Sequence, residues 1–204
     1  MQLTPRLLLA AYCKGVFPMA HEDGQIYWYD PDPRAIIPLP GFYVPHRLTR
    51  LVRRGVFEVR VDTAFTAVMQ ACATPTSNRD TTWISDELIG AYTALHRLGF
   101  AHSVECWQDG RLVGGLYGVT VQGLFAGESM FSRARDSSKV ALVHLVRRLR
   151  AGGFQLLDIQ FLTEHLQQFG AIEISAAEYK RRLAHTLLFT ADFGSMENDV
   201  HYDE

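Results

Sequence analysis

Two short stretches hold residues whose types and spacing suit chemistry. The first, Gly123–Lys139, reads GLFAGESMFSRARDSSK: a carboxylate (Glu128), hydroxyls at Ser129 and Ser132, and Arg133, Arg135 and Lys139 around a helix start, all interrupting an apolar run. The second is Asp158-Ile159-Gln160. A strand that stops to present a carboxylate and then opens a basic helix N-terminus suits a pocket for a phosphate-bearing substrate. A solvated loop after a strand would carry the same residues. Residues i and i+2 of a strand face one side, so Asp158 and Gln160 can reach one pocket. The competing reading of Asp158 is a buried carboxylate paired with an arginine.

Composition narrows the setting. The 204 residues suffice for one well-cored domain or two small ones sharing a core. Apolar residues at 48% and charged residues at 21% are ordinary for a soluble globular protein. A net charge of −2 argues against a nucleic-acid coat protein, so any RNA contact must come from local basic patches. Cys13, Cys72 and Cys106 form no CxxC pair and no Cys/His zinc spacing, and the histidines show no HExxH. We therefore expect no metal and a reducing, cytoplasmic location. LLLAAYC at Leu7–Cys13 faintly resembles a lipoprotein signal, but Tyr12 stands where a small residue is needed and Lys14 follows at once. No run approaches the roughly 20 apolar residues that cross a bilayer.

The elements that must position these residues are legible in part. Thr4-Pro5 reads as an N-cap and first helical residue, predicting a helix to Lys14 closed by Gly15. A proline-studded stretch follows, with room for short strands at Gln25–Tyr29 and Ala35–Ile37. Its aromatics Phe17, Tyr27, Trp28 and Tyr29 make either a docking wall or a small core. Pro45–Arg54 predicts a short basic helix. FEVRV alternates as a strand, Asp62 is placed to cap a helix to Ala73, and the loop TPTSNRDTT leads to a helix from Ser85 through Leu98. Asp109-Gly110 joins two strands as a hairpin. Leu124–Ser129 is a third strand, Ser138–Ala151 a helix, Phe154–Gln160 a strand, and Ser175 with Glu178 a capping box for a last helix to about Leu183. The polar end GSMENDVHYDE reads as a tail.

The order β-α-α-β-β-β-α-β-α is that of the GNAT acyltransferases, an analogy of fold that suggests acyl transfer to an amine. LLLAAYCKGVFP, WYDPDPRA, TTWISDELIGAYTALHRLGFAHSVECW, LVGGLYGV, LFAGESMFSRARDSSKVAL, LLDIQ and EHLQQFGAIEI carry a closer match over roughly Leu7–Ile174. In these pieces and their order the chain resembles the leucyl/phenylalanyl-tRNA–protein transferase family.

The resemblance implies an α+β fold: a GNAT-like acyltransferase domain over 56–190, a reduced small N-terminal α/β subdomain over 1–55, and a polar tail over 191–204. It implies transfer of Leu or Phe from the 3′ end of an aminoacyl-tRNA to the α-amine of proteins beginning with Lys or Arg, marking them for N-end-rule degradation. Charged tRNA would be substrate, with no cofactor; the chain would act as a monomer. The absence of glycine from RARDSSK, where a CoA-binding loop of this fold needs close backbone approach, agrees with that. By resemblance the catalytic residues are Asp158, Gln160 and Glu128. Asp158 would draw on the amine proton through Gln160, which orients the amine and carbonyl, while Glu128 positions the amine or the terminal ribose. The aminoacyl pocket would be lined by Leu116, Phe125, Met130, Leu145, Leu149 and Leu157, although an ordinary core would look the same. Trp83 would stack near the terminal adenosine, and Ser129 would be a further tRNA-binding position. Arg133, Arg135, Lys139, Arg47 and Arg50 would hold RNA phosphates, and Arg147, Arg148 and Arg150 are further candidates. Three departures from the family pattern stand out: a shorter N-terminal segment, Met19 in place of an aromatic, and the added Asp30. Two other readings stay open: a non-enzymatic binder of basic N-termini using Glu128, Asp158 and Asp30, and a GNAT-like N-acyltransferase of other specificity.

Overall fold

The computed structural model describes residues 3–75 and 81–194; residues 76–80 of the TPTSNRDTT loop and the tail beyond Gly194 lie outside it. The first helix, α1 (Pro5–Tyr12), is capped by the Thr4 side chain, which accepts from the Leu7 amide, and has Pro at its start. A hairpin of β1 (Phe17–Ala20) and β2 (Ile26–Tyr29) stands apart from the main sheet. Seven strands then form one sheet in the order β4-β5-β6-β7-β8-β3-β9: β3 (Arg34–Ile37), β4 (Glu58–Val61), β5 (Ala101–Gln108), β6 (Arg111–Val121), β7 (Leu124–Ser132), β8 (Leu156–Gln160) and β9 (Ile172–Ile174). Helices α2 (His46–Arg53), α3 (Phe65–Ala73), α4 (Asp86–Arg97), α5 (Ser137–Ala151), α6 (Glu164–Gln167) and α7 (Ala176–Thr186) complete the α+β architecture. No helix among the described residues is long and apolar enough to cross a membrane.

The sheet is covered on both faces. One core gathers Leu8 and Tyr12 of α1 with α3, α4 and α7; the other gathers Leu48 and Val52 of α2 with α5. Strand β3, from the segment expected to form the reduced N-terminal subdomain, is a strand of the main sheet between β8 and β9. Every neighbouring pair is antiparallel except β7 and β8, which α5 connects and which run parallel. These two pair only over Leu124–Ala126 with Leu156–Asp158. Beyond Ala126 they part, leaving a gap.

Local expectations hold with informative exceptions. The Asp109-Gly110 turn has φ of 51° and 70°, as a two-residue hairpin of this hand requires. Asp62 does not cap α3: it sits at φ 59°, and its carboxylate accepts from the Ser103 amide at 2.8 Å and pairs with His102. The α3 start is satisfied instead by the buried Glu105, which accepts from the Ala64 amide at 2.8 Å. Glu178 does not close a capping box, because Arg181 and Arg182 take its carboxylate; Ser175 still accepts from the Glu178 amide.

Close packing of β6 beneath α5 fixes where that helix begins. Ser137 Oγ bonds the Val113 and Ala134 carbonyls at 2.9 and 2.8 Å, and a Cβ added at Gly114 would overlap the Ser137 side chain. Gly114→Ala is expected to cost about 1–3 kcal/mol, because the α5 start must shift. A thermal melt should show Tm lowered by several degrees; an unchanged Tm would mean that this contact is not tight.

Candidate active site

Glu128 is placed by a bulge. Tyr117 pairs with Ser129 and Gly118 with Gly127, so Glu128 is the extra residue of β7 and has no partner across the ladder. Its side chain turns towards the face of α1 and α4. There Tyr12 Oη donates to Oε1 at 2.7 Å, and Tyr92 Oη, bonded to the Tyr12 hydroxyl, lies 3.3 Å from Oε2. Both tyrosines are buried in the apolar stripe of their helices. Burial pushes the Glu128 carboxyl up to about 7; the Tyr12 hydrogen bond opposes that rise and the Asp158 charge adds to it.

Asp158 and Gln160 do fall together, but not in the expected relation. Asp158 has no solvent exposure, and four donors fill its carboxylate. Arg34 Nε and Nη2 bind it at 2.8 and 2.6 Å, Tyr179 Oη donates at 2.9 Å, and the Gln160 backbone amide donates at 3.0 Å. The competing sequence reading, a buried carboxylate paired with an arginine, is therefore what the fold contains. No bond joins Asp158 to the Gln160 side chain among the described residues; the two residues are linked through the Gln160 backbone amide. The Gln160 side chain instead faces Glu128, with Nε2 at 3.5 Å from Oε1.

Beside these groups lies a cavity of about 580 Å³ lined by residues of both β7 and β8. Glu128, Ser129 and Gln160 line it; Asp158 does not. Four of the six residues expected in the aminoacyl pocket, Leu116, Met130, Leu145 and Leu157, line its α5 side, joined by Leu142. The other two do not: Phe125 and Leu149 are fully buried behind the wall, Phe125 stacking on Phe193 at 5.6 Å. Trp83 lines the opposite side, and Phe17 and Met19 contribute there too, so Phe17 serves both wall and core. Tyr117 Oη and His165 Nε2 belong to wall residues and are buried without a hydrogen-bond partner.

Among the described residues no arginine or lysine lines this cavity; the basic residues expected to bind RNA lie elsewhere. Arg133 lies over the Phe131 ring at 5.3 Å from its centroid and Arg135 is exposed. Arg47 and Lys139 converge on Asp136 at 2.5 and 3.5 Å. Arg47, Arg50 and Arg135 line a second groove between α2 and the start of α5. Arg148 and Arg150 instead bond the Phe193 and Leu39 carbonyls; Arg148 is buried, while Arg150 stays exposed. Asp30 pairs with Lys180 on α7 and does not line the cavity.

Arg34, Tyr179, Tyr12 and Tyr92 were missed from sequence. Arg34 sat unmarked within WYDPDPRA, and each tyrosine reads as ordinary core. The available signal was that a buried tyrosine hydroxyl needs a polar partner, and few polar residues remain in those stripes to supply one.

The chain matches the family profile described as leucyl/phenylalanyl-tRNA protein transferase over residues 36–184, and that family's N-terminal domain over residues 1–32. It is 63% identical to a leucyl/phenylalanyl-tRNA–protein transferase from Herpetosiphon aurantiacus, covering 94% of this chain and 98% of that protein. It is 60% identical to one from Phenylobacterium zucineum, covering 92% of this chain and 86% of that protein. Among solved structures, L-PGS from Bacillus licheniformis aligns with a TM-score of 0.41 and 12% identity over 83% of this chain and 58% of that one, too remote to assign the fold.

Proposed function

The chain belongs to the leucyl/phenylalanyl-tRNA–protein transferase family, and from that premise we propose how its residues move an aminoacyl group from tRNA to a protein amine. The observation that carries the assignment is a cavity with one apolar end and one carboxylate of raised pKa at the strand gap. The apolar end, with Leu116, Met130, Leu145 and Leu157, takes the Leu or Phe side chain. Glu128 takes a proton from the acceptor α-amine, whose own pKa is about 7.7–8.0. The amine nitrogen attacks the ester carbonyl, the C–O bond to the terminal ribose breaks, and the proton returns to the departing 3′ oxygen. Gln160 orients amine and carbonyl; alignment of this kind is worth up to about 7–11 kcal/mol. The ester is already activated, so no further cofactor enters.

Trp83 and Ser129 are assigned to the terminal nucleotide. Arg133, Arg135, Arg47 and Arg50 are assigned to RNA phosphates on the strength of their exposure, three of them lining the second groove, and the half-buried Lys139 is assigned with them. Acceptors beginning with Lys or Arg, cytoplasmic N-end-rule marking and a monomeric state complete the reading. So do a GNAT-like lineage, which the parting of parallel β7 and β8 supports, and a division into an N-terminal segment 1–55 that lends β3 to the main sheet and a body that keeps Phe193 in its core. Binding of basic N-termini without turnover is disfavoured: of its three expected carboxylates Asp158 and Asp30 are occupied, leaving Glu128.

The test is transfer of labelled Leu or Phe from charged tRNA to model proteins beginning with Lys, Arg, Asp or Ala. Transfer confined to Lys and Arg is expected. Transfer to Asp or Ala would refute the acceptor assignment, and none to any acceptor would refute the reaction.

A further inference from the structure

We propose that Arg34 and Tyr179 are positioning residues: they fix the Asp158 carboxylate so that it holds Gln160 in a strained turn facing the cavity. Gln160 has φ of 57° although it is not glycine. The Phe161 amide bonds the Ile159 carbonyl at 2.7 Å across it, which makes a γ-turn of the rare positive-φ hand. Such a conformation persists only where its surroundings over-determine it. Here the determinant is the bond from the Gln160 amide to Asp158 Oδ1 at 3.0 Å, and Asp158 can accept it in one direction only because three other donors fix its carboxylate.

Arg34 is itself held on every side. Its guanidinium lies between the rings of Phe17 and Tyr179, at 4.8 and 4.4 Å from their centroids, and its Nη1 donates to the Gly15 carbonyl at 2.9 Å. Gly15, at φ 77°, follows α1, the helix that brings Tyr12 to Glu128, and a Cβ there would press on the Tyr179 ring at 2.8 Å. One side chain thus ties the end of α1 to the Gln160 turn and to α7, setting the two groups that face the substrate without touching it.

The inference rests on the aminoacyl-transfer reading for its kinetic part only. Arg34→Lys keeps the charge but loses the fork, and Tyr179→Phe removes one donor while keeping ring and volume. With aminoacyl-tRNA and a Lys-initiated acceptor, Arg34→Lys is expected to lower kcat about 10²-fold with KM for the charged tRNA within about twofold. Tyr179→Phe should lower kcat less, in the same pattern. Site-resolved amide hydrogen exchange supplies a measurement independent of activity: the Gln160 amide should lose at least about tenfold in protection in both variants while β5 and β6 keep theirs. Unchanged protection at Gln160, or loss spread evenly over the sheet, would overturn the clamp. Selective loss at Gln160 with wild-type kcat would overturn the positioning role. A wild-type protein without transfer activity that still shows the selective exchange pattern would sink the functional reading and leave the clamp standing.

Discussion

Glu128→Gln is expected to lower kcat by about 10²–10⁴-fold, the usual contribution of a positioned proton acceptor. The neutral amide fits the same space between Tyr12 and Tyr92 but cannot take a proton from the amine. In the wild type, rate should fall as pH drops through about 7, where Glu128 becomes protonated. The acceptor amine, with a pKa of about 7.7–8.0, gives a second acidic limb. The variant should keep only the amine's limb, so its residual activity falls less steeply in acid. Stability should move the other way. The folded pKa of Glu128 lies above its ordinary value of 4.5, so its contribution is fully present below about 4.5 and is lost as pH rises through about 7. At pH 8 the charge of this half-buried carboxylate is expected to cost the fold on the order of 1–3 kcal/mol. Glu128→Gln should therefore melt higher than wild type at pH 8, the gain vanishing towards pH 4–5. Wild-type kcat in the variant would remove Glu128 from the chemistry. A lower Tm at pH 8 would mean that the carboxylate is not strained.

The residues proposed to carry the chemistry were legible because their types are rare in an apolar run. Glu128 and Gln160 stand out for that reason, and both face the cavity. Their geometry was not legible, because it depends on two backbone irregularities. The bulge that re-aims Glu128 and the positive φ at Gln160 obey no period, so strand alternation placed Asp158 and Gln160 side by side when in fact one supports the other. Strands β5 and β6, with their hairpin, were read closely because alternation and turn chemistry agree there. Asp62 and Glu105 exchanged roles because a helix start can be satisfied by a carboxylate distant in sequence. Short β1 and β9 carry too few residues to show a period.

Leu145→Trp is expected to shift the choice of side chain at the apolar end towards Leu. Leu145 is 1% exposed and its side chain lines the cavity from α5, opposite Leu116 and Leu157 of the sheet. A tryptophan there narrows the space that must admit either Leu or the larger Phe. Exclusion by shape in an apolar pocket is worth about 1–3 kcal/mol, so kcat/KM for Phe-tRNA should fall by about 10–200-fold relative to Leu-tRNA. Leu149 makes the contrast. It lies one turn further along α5, fully buried and away from the cavity wall. Leu149→Ala should destabilise the fold by about 2–5 kcal/mol, as truncating a buried leucine does, yet leave the Phe-to-Leu ratio unchanged. If both variants shifted the ratio alike, the wall and the core behind it would act as one unit, and specificity could not be assigned to the cavity surface. If Leu145→Trp left the ratio untouched while Tm stayed high, the aminoacyl side chain would have to bind elsewhere in the cavity.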